Sequence, residues 1–101
     1  MGEWQFDFVG AIWLYPGKGG WRFVTLPHEI GAELRFLSAV DSRPWRSAPV
    51  AVRIGKSEWR TSVFPDKESQ SYVLPLKASI RASEALTDGQ DVRVRLRLLA
   101  G

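Results

Sequence analysis

A chain of 101 residues, 45% hydrophobic and 25% charged, is long enough for one domain with an ordinary core and leaves no room for two. The lack of cysteine excludes disulfides, a thiolate nucleophile and a cysteine-based zinc site, and it suits a reducing cytoplasm. The net charge of +3 rests on ten arginines and four lysines; it is small enough to argue against a dedicated nucleic-acid binder, while arginine favours planar, bidentate contacts to carboxylate or phosphate.

From Glu3 to Tyr15 the pattern predicts a strand, with Trp4, Phe6, Phe8, Ile12 and Leu14 on one face. The opposite face begins with Glu3, Gln5 and Asp7 and turns apolar at Val9, Ala11 and Trp13, as expected where a strand passes from an edge into a closed interior. Gly10 marks a bulge or a bend. Pro16-Gly17-Lys18-Gly19-Gly20 is a turn, and Trp21 to Leu26 returns as the second strand of a hairpin. Pro27 suits the first turn of a helix, where its missing N–H costs nothing, and Glu29 suits the helix dipole. Ile30, Leu34 and Leu37 recur at helical spacing, so a helix is predicted from Pro27 to Ala39, broken by Asp41-Ser42-Arg43-Pro44.

Ala48, Val50, Val52 and Ile54 alternate with Pro49, Ala51 and Arg53, which predicts a third strand. Gly55-Lys56-Ser57 turns the chain into a fourth, Glu58 to Phe64, where Trp59, Thr61 and Val63 share a face. Pro65 to Ser71 reads as a polar loop, Tyr72 to Leu74 as a short strand, and Leu76 to Leu86 as a second helix ended by Thr87-Asp88-Gly89-Gln90. The last strand is the clearest: Val92, Val94, Leu96 and Leu98 alternate with Arg93, Arg95 and Arg97. Trp4, Trp13, Trp21 and Trp59 fall in strand patterns and are expected to pack the interior.

An internal echo runs through these elements. Phe23-Val24-Thr25-Leu26-Pro27, a helix, a break and a strand are matched by Tyr72-Val73-Leu74-Pro75, a helix, a Gly-containing break and a strand, and each unit is preceded by another strand. A β-β-α-β unit used twice, over about 3–54 and 58–99, lets two halves that cannot bury their own apolar faces close on each other. The expected fold is mainly β with two short helices, a small closed barrel in a single domain.

Trp59-Arg60-Thr61-Ser62-Val63-Phe64-Pro65, then Tyr72 through Arg81, then Gly89-Gln90-Asp91-Val92 resemble the signature of a prokaryotic family, domain of unknown function nineteen-oh-five. Phe8 to Trp13 and Trp21 to Pro27 resemble its N-terminal half, so the likeness covers nearly the whole chain. The resemblance implies a double-split β-barrel of two interleaved halves, standing alone, and it brings no established activity. The stretch from Leu74 to Val92 is also similar to the swapped-hairpin half of AbrB-like and MazE-like DNA-binding regulators, which bind DNA as dimers of short halves. Here Gln90 stands where that pattern commonly has Asp, and both halves lie in one chain.

Lys77 and Arg81 are four apart near the start of the second helix, where like charges repel and the helix dipole prefers acids. Either an internal carboxylate compensates them, with Glu84 three residues on as a partial partner for Arg81, or an external anion does. Thr61 and Ser62 offer hydroxyls that either line such a site or serve the end of a strand. Trp45, between Arg43 and Arg46, is either a lid over one barrel end or a ligand-stacking residue. Arg93, Arg95 and Arg97 project about 7 Å apart, a row that tracks phosphates, discourages edge pairing or meets acids on the next strand.

His28 is the sole histidine and reads as a surface residue, so a multi-histidine metal site is excluded. Gly17, Gly19 and Gly20 precede a strand rather than a helix, which is the wrong context for a phosphate loop. No catalytic residues, metal or cofactor are expected, and an enzyme with an unfamiliar site is the least supported class. The N-terminus, Met1-Gly2-Glu3-Trp4, lacks the basic start and apolar run of a secretory signal, and no apolar run approaches the roughly 20 residues of a membrane helix. The sequence thus points to a cytoplasmic, non-catalytic binding module with no membrane partner. Its expected ligand is an anionic small molecule or an acidic partner surface, and its alternative is nucleic acid on the arginine strand.

Overall fold

The computed structural model describes residues 5–38 and 46–99. Along the chain they form β1 (Phe6–Leu14), β2 (Arg22–Thr25), α1 (His28–Ser38), β3 (Ala48–Ile54), β4 (Ser57–Asp66), β5 (Ser71–Pro75), α2 (Ala78–Ser83) and β6 (Asp91–Leu98). The six strands close into a barrel in the order β1-β2-β5-β4-β3-β6, every described pair antiparallel. Exchanging β1, β2 and β3 for β4, β5 and β6 returns the same cyclic order. The pairing is therefore symmetric in the two predicted units.

Two long strands join the halves of the barrel. β1 pairs with β6 through Phe6 to Ala11 and with β2 through Ile12 to Leu14. β4 pairs with β3 through Ser57 to Val63 and with β5 through Phe64 to Asp66. The barrel thus has one four-strand wall around β6 and β3 and another around β2 and β5. Gly10 lies two residues before Ile12, where β1 changes neighbours, and an added Cβ there would press on the Val24 side chain. Smallness at this corner lets the walls approach.

Alternating side chains fill the interior. Phe6, Phe8 and Ile12 from β1, Val50 and Val52 from β3, Tyr72 and Leu74 from β5, and Val94 and Leu96 from β6 are all buried. Each such side chain contributes roughly 1.5–3 kcal/mol relative to exposure, before conformational entropy is counted. The other face of β1 does not turn inward: Val9 is 56% exposed, Ala11 is exposed and Trp13 lies half-buried outside the barrel. A strand's pleat keeps its parity, so these residues stay outside once Phe8 and Ile12 are in.

α1 begins one residue after Pro27, whose carbonyl accepts the first helical bond from Gly31 at 2.9 Å. Leu34 is fully buried, with Ile30 and Leu37 packed against the core, as their spacing predicts. Gly31 is there for contact: a Cβ would overlap the Ser71 side chain, whose buried hydroxyl donates to the Leu26 carbonyl at 2.9 Å. α2 is shorter than predicted. Ala85 takes a left-handed conformation (φ 53°), with Leu86 N–H donating to the Arg81 carbonyl and Ala85 N–H to the Ala82 carbonyl. This pair of bonds closes the helix early and sends Leu86 onto the core.

Candidate functional site

The residues singled out in the sequence go to several places. Lys77 precedes the first residue of α2, is exposed and caps nothing with its side chain. Arg81 is half-buried, and its Nε donates to the Leu76 carbonyl at 3.1 Å. The guanidinium is thus turned back on the backbone entering its own helix, and because α2 has only six residues Arg81 lies in its last turn, where the dipole favours a cation, not at the unfavourable helix start expected from the sequence. Glu84 is engaged elsewhere: Ser57 Oγ donates to its Oε2 at 2.7 Å and the Lys56 N–H at 3.2 Å, which ties α2 to the β3–β4 turn. Thr61 lines an apolar groove, Ser62 stands opposite Pro49, and Trp45 lies outside the described residues.

One strong ion pair comes from unpredicted partners. Arg22 on β2 donates through Nε and Nη2 to the two carboxylate oxygens of Asp88, at 3.0 and 3.3 Å. That forked bond holds the Asp88 carboxyl below the usual aspartate range, helped less by its attraction to Arg22 and Arg81, and it raises the Arg22 guanidinium. Sixty-six residues separate the partners, so no local spacing signals the pair.

The arginine strand builds a surface of its own. Alternation buries Val92, Val94 and Leu96 and sends Arg93, Arg95 and Arg97 to the outside of the barrel. Register sets Arg53 of β3 directly opposite Arg95, Arg97 opposite Ala51, and Arg95 opposite Asp7 of β1. Ala51 in turn faces Arg60 of β4. Asp7 serves two cations, Oδ2 lying 3.3 Å from Arg95 Nε and Oδ1 3.7 Å from Arg93 Nε, while Arg53 Nε is 3.6 Å from Glu58. All three pairs are looser than the Arg22–Asp88 fork. Arg53, Arg93 and Arg95, with Gly55 of the β3–β4 turn, line a concavity of about 340 Å³. Three guanidinium groups there share two carboxylates.

The opposite wall is aromatic. Trp21, Tyr15 and Phe64 are 56%, 47% and 45% exposed around a half-buried Phe23. Ring centroids of Trp13, Tyr15 and Trp21 lie 5.2, 6.2 and 6.4 Å from that of Phe23. With Thr61, Val73 and Pro75 these side chains bound an open groove of about 440 Å³. Trp13 and Trp21 were expected inside the barrel, and only their register shows that they face outward. Trp59 meets the expectation of packing against the core.

His28 is exposed at the first position of α1. Among the described residues no three His, Asp or Glu side chains group closely enough to hold a metal ion, and no helix is long and apolar enough to cross a membrane. The family model described as Domain of unknown function (DUF1905) matches residues 8–96, a span running from β1 into β6. No curated protein matches the chain.

Proposed function

The chain belongs to the family Domain of unknown function (DUF1905), and within it we propose that this barrel is a non-catalytic binding module for a small anionic ligand bearing phosphate or carboxylate groups. The ligand's seat is the concavity of Arg53, Arg93 and Arg95. The observation that carries this reading is the direct cross-strand placement of Arg53 against Arg95 beside Arg93, where among the described residues Asp7 and Glu58 are the carboxylates that form ion pairs with the three cations. Like charges opposite each other on neighbouring strands are destabilising, and a bound oxyanion relieves that repulsion by accepting from guanidinium N–H groups in their planar fork geometry.

The pair Lys77 and Arg81 supports an anion site less well. α2 has six residues, and Arg81 spends a donor on the Leu76 carbonyl. Nucleic acid along Arg93, Arg95 and Arg97 is also less favoured, because Asp7, Glu58 and Asp91 interrupt that face where a phosphate track needs uniform positive charge. The same reading treats the chain as a single barrel domain with halves of about 3–54 and 58–99, working in a reducing cytoplasm that its cysteine-free composition suits.

The test is thermal unfolding with rising inorganic phosphate, ionic strength held constant with chloride. A tenfold excess over Kd adds about 1.4 kcal/mol, or roughly 5–10 °C for a domain of this size. The rise should grow with the logarithm of phosphate concentration above Kd in the wild type, vanish in Arg53→Ser and Arg95→Ser, and persist in Lys77→Ala. An equal rise in all four proteins would refute the site.

A further inference from the structure

The aromatic wall carries a second inference, independent of the anion site. We propose that it binds a small organic cation with a flat apolar body, the body resting in the Tyr15–Trp21–Phe64 groove and the charged group against Trp13 and Tyr15. A closed barrel has no need of tryptophan and tyrosine on its outside. Exposed apolar patches of this kind mark binding surfaces on monomeric proteins.

These rings are held in place before any ligand arrives. Trp13 donates from Nε1 to Thr25 Oγ1 at 2.9 Å and tilts against Phe23. Trp21 stacks on Phe23 as well, and Tyr15 meets the same ring edge-on. The turn that brings Trp21 back beside Tyr15 uses Gly19 and Gly20 at φ 99° and 65°, conformations that glycine adopts without strain. The backbone bond from Tyr15 N–H to the Trp21 carbonyl, 2.8 Å, locks that hairpin.

Charge selects the ligand. Tyr15 is shared between the apolar groove and a neighbouring one of about 550 Å³, which Trp13, Asp66 and Glu68 also line. Among the described residues no lysine or arginine lines either groove, in a chain whose net charge is +3. One Asp66 oxygen accepts from the Ser69 N–H at 3.2 Å, and Glu68 is exposed. An ammonium or guanidinium group over the Trp13 and Tyr15 faces therefore meets the rings' negative quadrupoles and two carboxylates together. Combined volumes of this size suit a small molecule.

The experiment is isothermal titration with phenethylammonium, its neutral counterpart 2-phenylethanol and the anionic 3-phenylpropionate. Sedimentation of the free protein runs alongside. The cation should bind with a Kd of order 1 mM or tighter, about tenfold more tightly than the alcohol, with the anion weakest. Trp21→Ser should abolish binding while leaving the circular dichroism unchanged and lowering the melting temperature by no more than the loss of its stack on Phe23. Glu68→Gln should cut the preference for the cation several-fold and leave the alcohol's affinity as it was. Equal binding of cation and alcohol, or no saturable binding of the cation, would overturn the proposal. So would a dimer in solution that Trp21→Ser dissociates, since a second copy would then be what covers this wall.

Discussion

Glu84 gives the sharpest test of how α2 supports the arginine concavity. Its carboxylate receives the Ser57 hydroxyl at 2.7 Å and the Lys56 N–H at 3.2 Å, bracing the turn whose Gly55 lines that concavity. Glu84→Ala removes one part-buried and one exposed hydrogen bond to a charged acceptor, together about 1–2 kcal/mol. Gly55 has φ 59°, and a Cβ at this position would overlap Glu84 Oε1. Gly55→Ala therefore costs about 1 kcal/mol for the left-handed backbone and also displaces the carboxylate, about 2–3 kcal/mol in all. In the double variant the carboxylate is already gone. The combined loss should then stay at about 2–3 kcal/mol, short of the additive sum by about 1–2 kcal/mol. Urea unfolding of the four proteins measures this, and phosphate affinity should fall in each variant. Losses that add to within about 0.5 kcal/mol would show that Glu84 does not brace the turn.

Gly31→Ala, which would gain about 1 kcal/mol in an exposed helix, should instead cost about 1–3 kcal/mol in urea unfolding, because the new methyl drives into Ser71 and its buried bond to Leu26. Arg81→Ala should cost about 0.5–1.5 kcal/mol through its bond to the Leu76 carbonyl, whereas Lys77→Ala should stay within about 0.5 kcal/mol by the same measurement. Asp88 titrates below its ordinary range when folded, so its pair with Arg22 contributes fully above about pH 4 and is lost as pH falls through the folded value. The melting-temperature gap between wild type and Asp88→Asn should close across that acid window. A gap that persists at the acid end would show that the pair contributes nothing through its charge.

Most of the fold was legible because its signals are local. Alternation in Val92 to Leu98 and Ala48 to Ile54 has one period and one apolar face. Pro27 and Pro75 punctuate both helix entries, and the two β-β-α-β units read from the sequence appear in a strand order that maps onto itself when they are exchanged. The end of α2 was hidden, since nothing in Glu84-Ala85-Leu86 announces a left-handed alanine; Leu86 reaching the core decides it. The candidate site was legible only in part. Arg93 and Arg95 could be set on one face by their spacing, but Arg53 joins them through a register with β3 that exists only once the barrel closes. Trp13 and Trp21 read as core because hydrophobicity records that a side chain avoids water, not which side of a strand it occupies. That side is set by parity with Phe8 and Ile12 for Trp13 and with Val24 for Trp21, and parity acquires an inside and an outside only when β1 and β4 bend through both walls and the sheet meets itself.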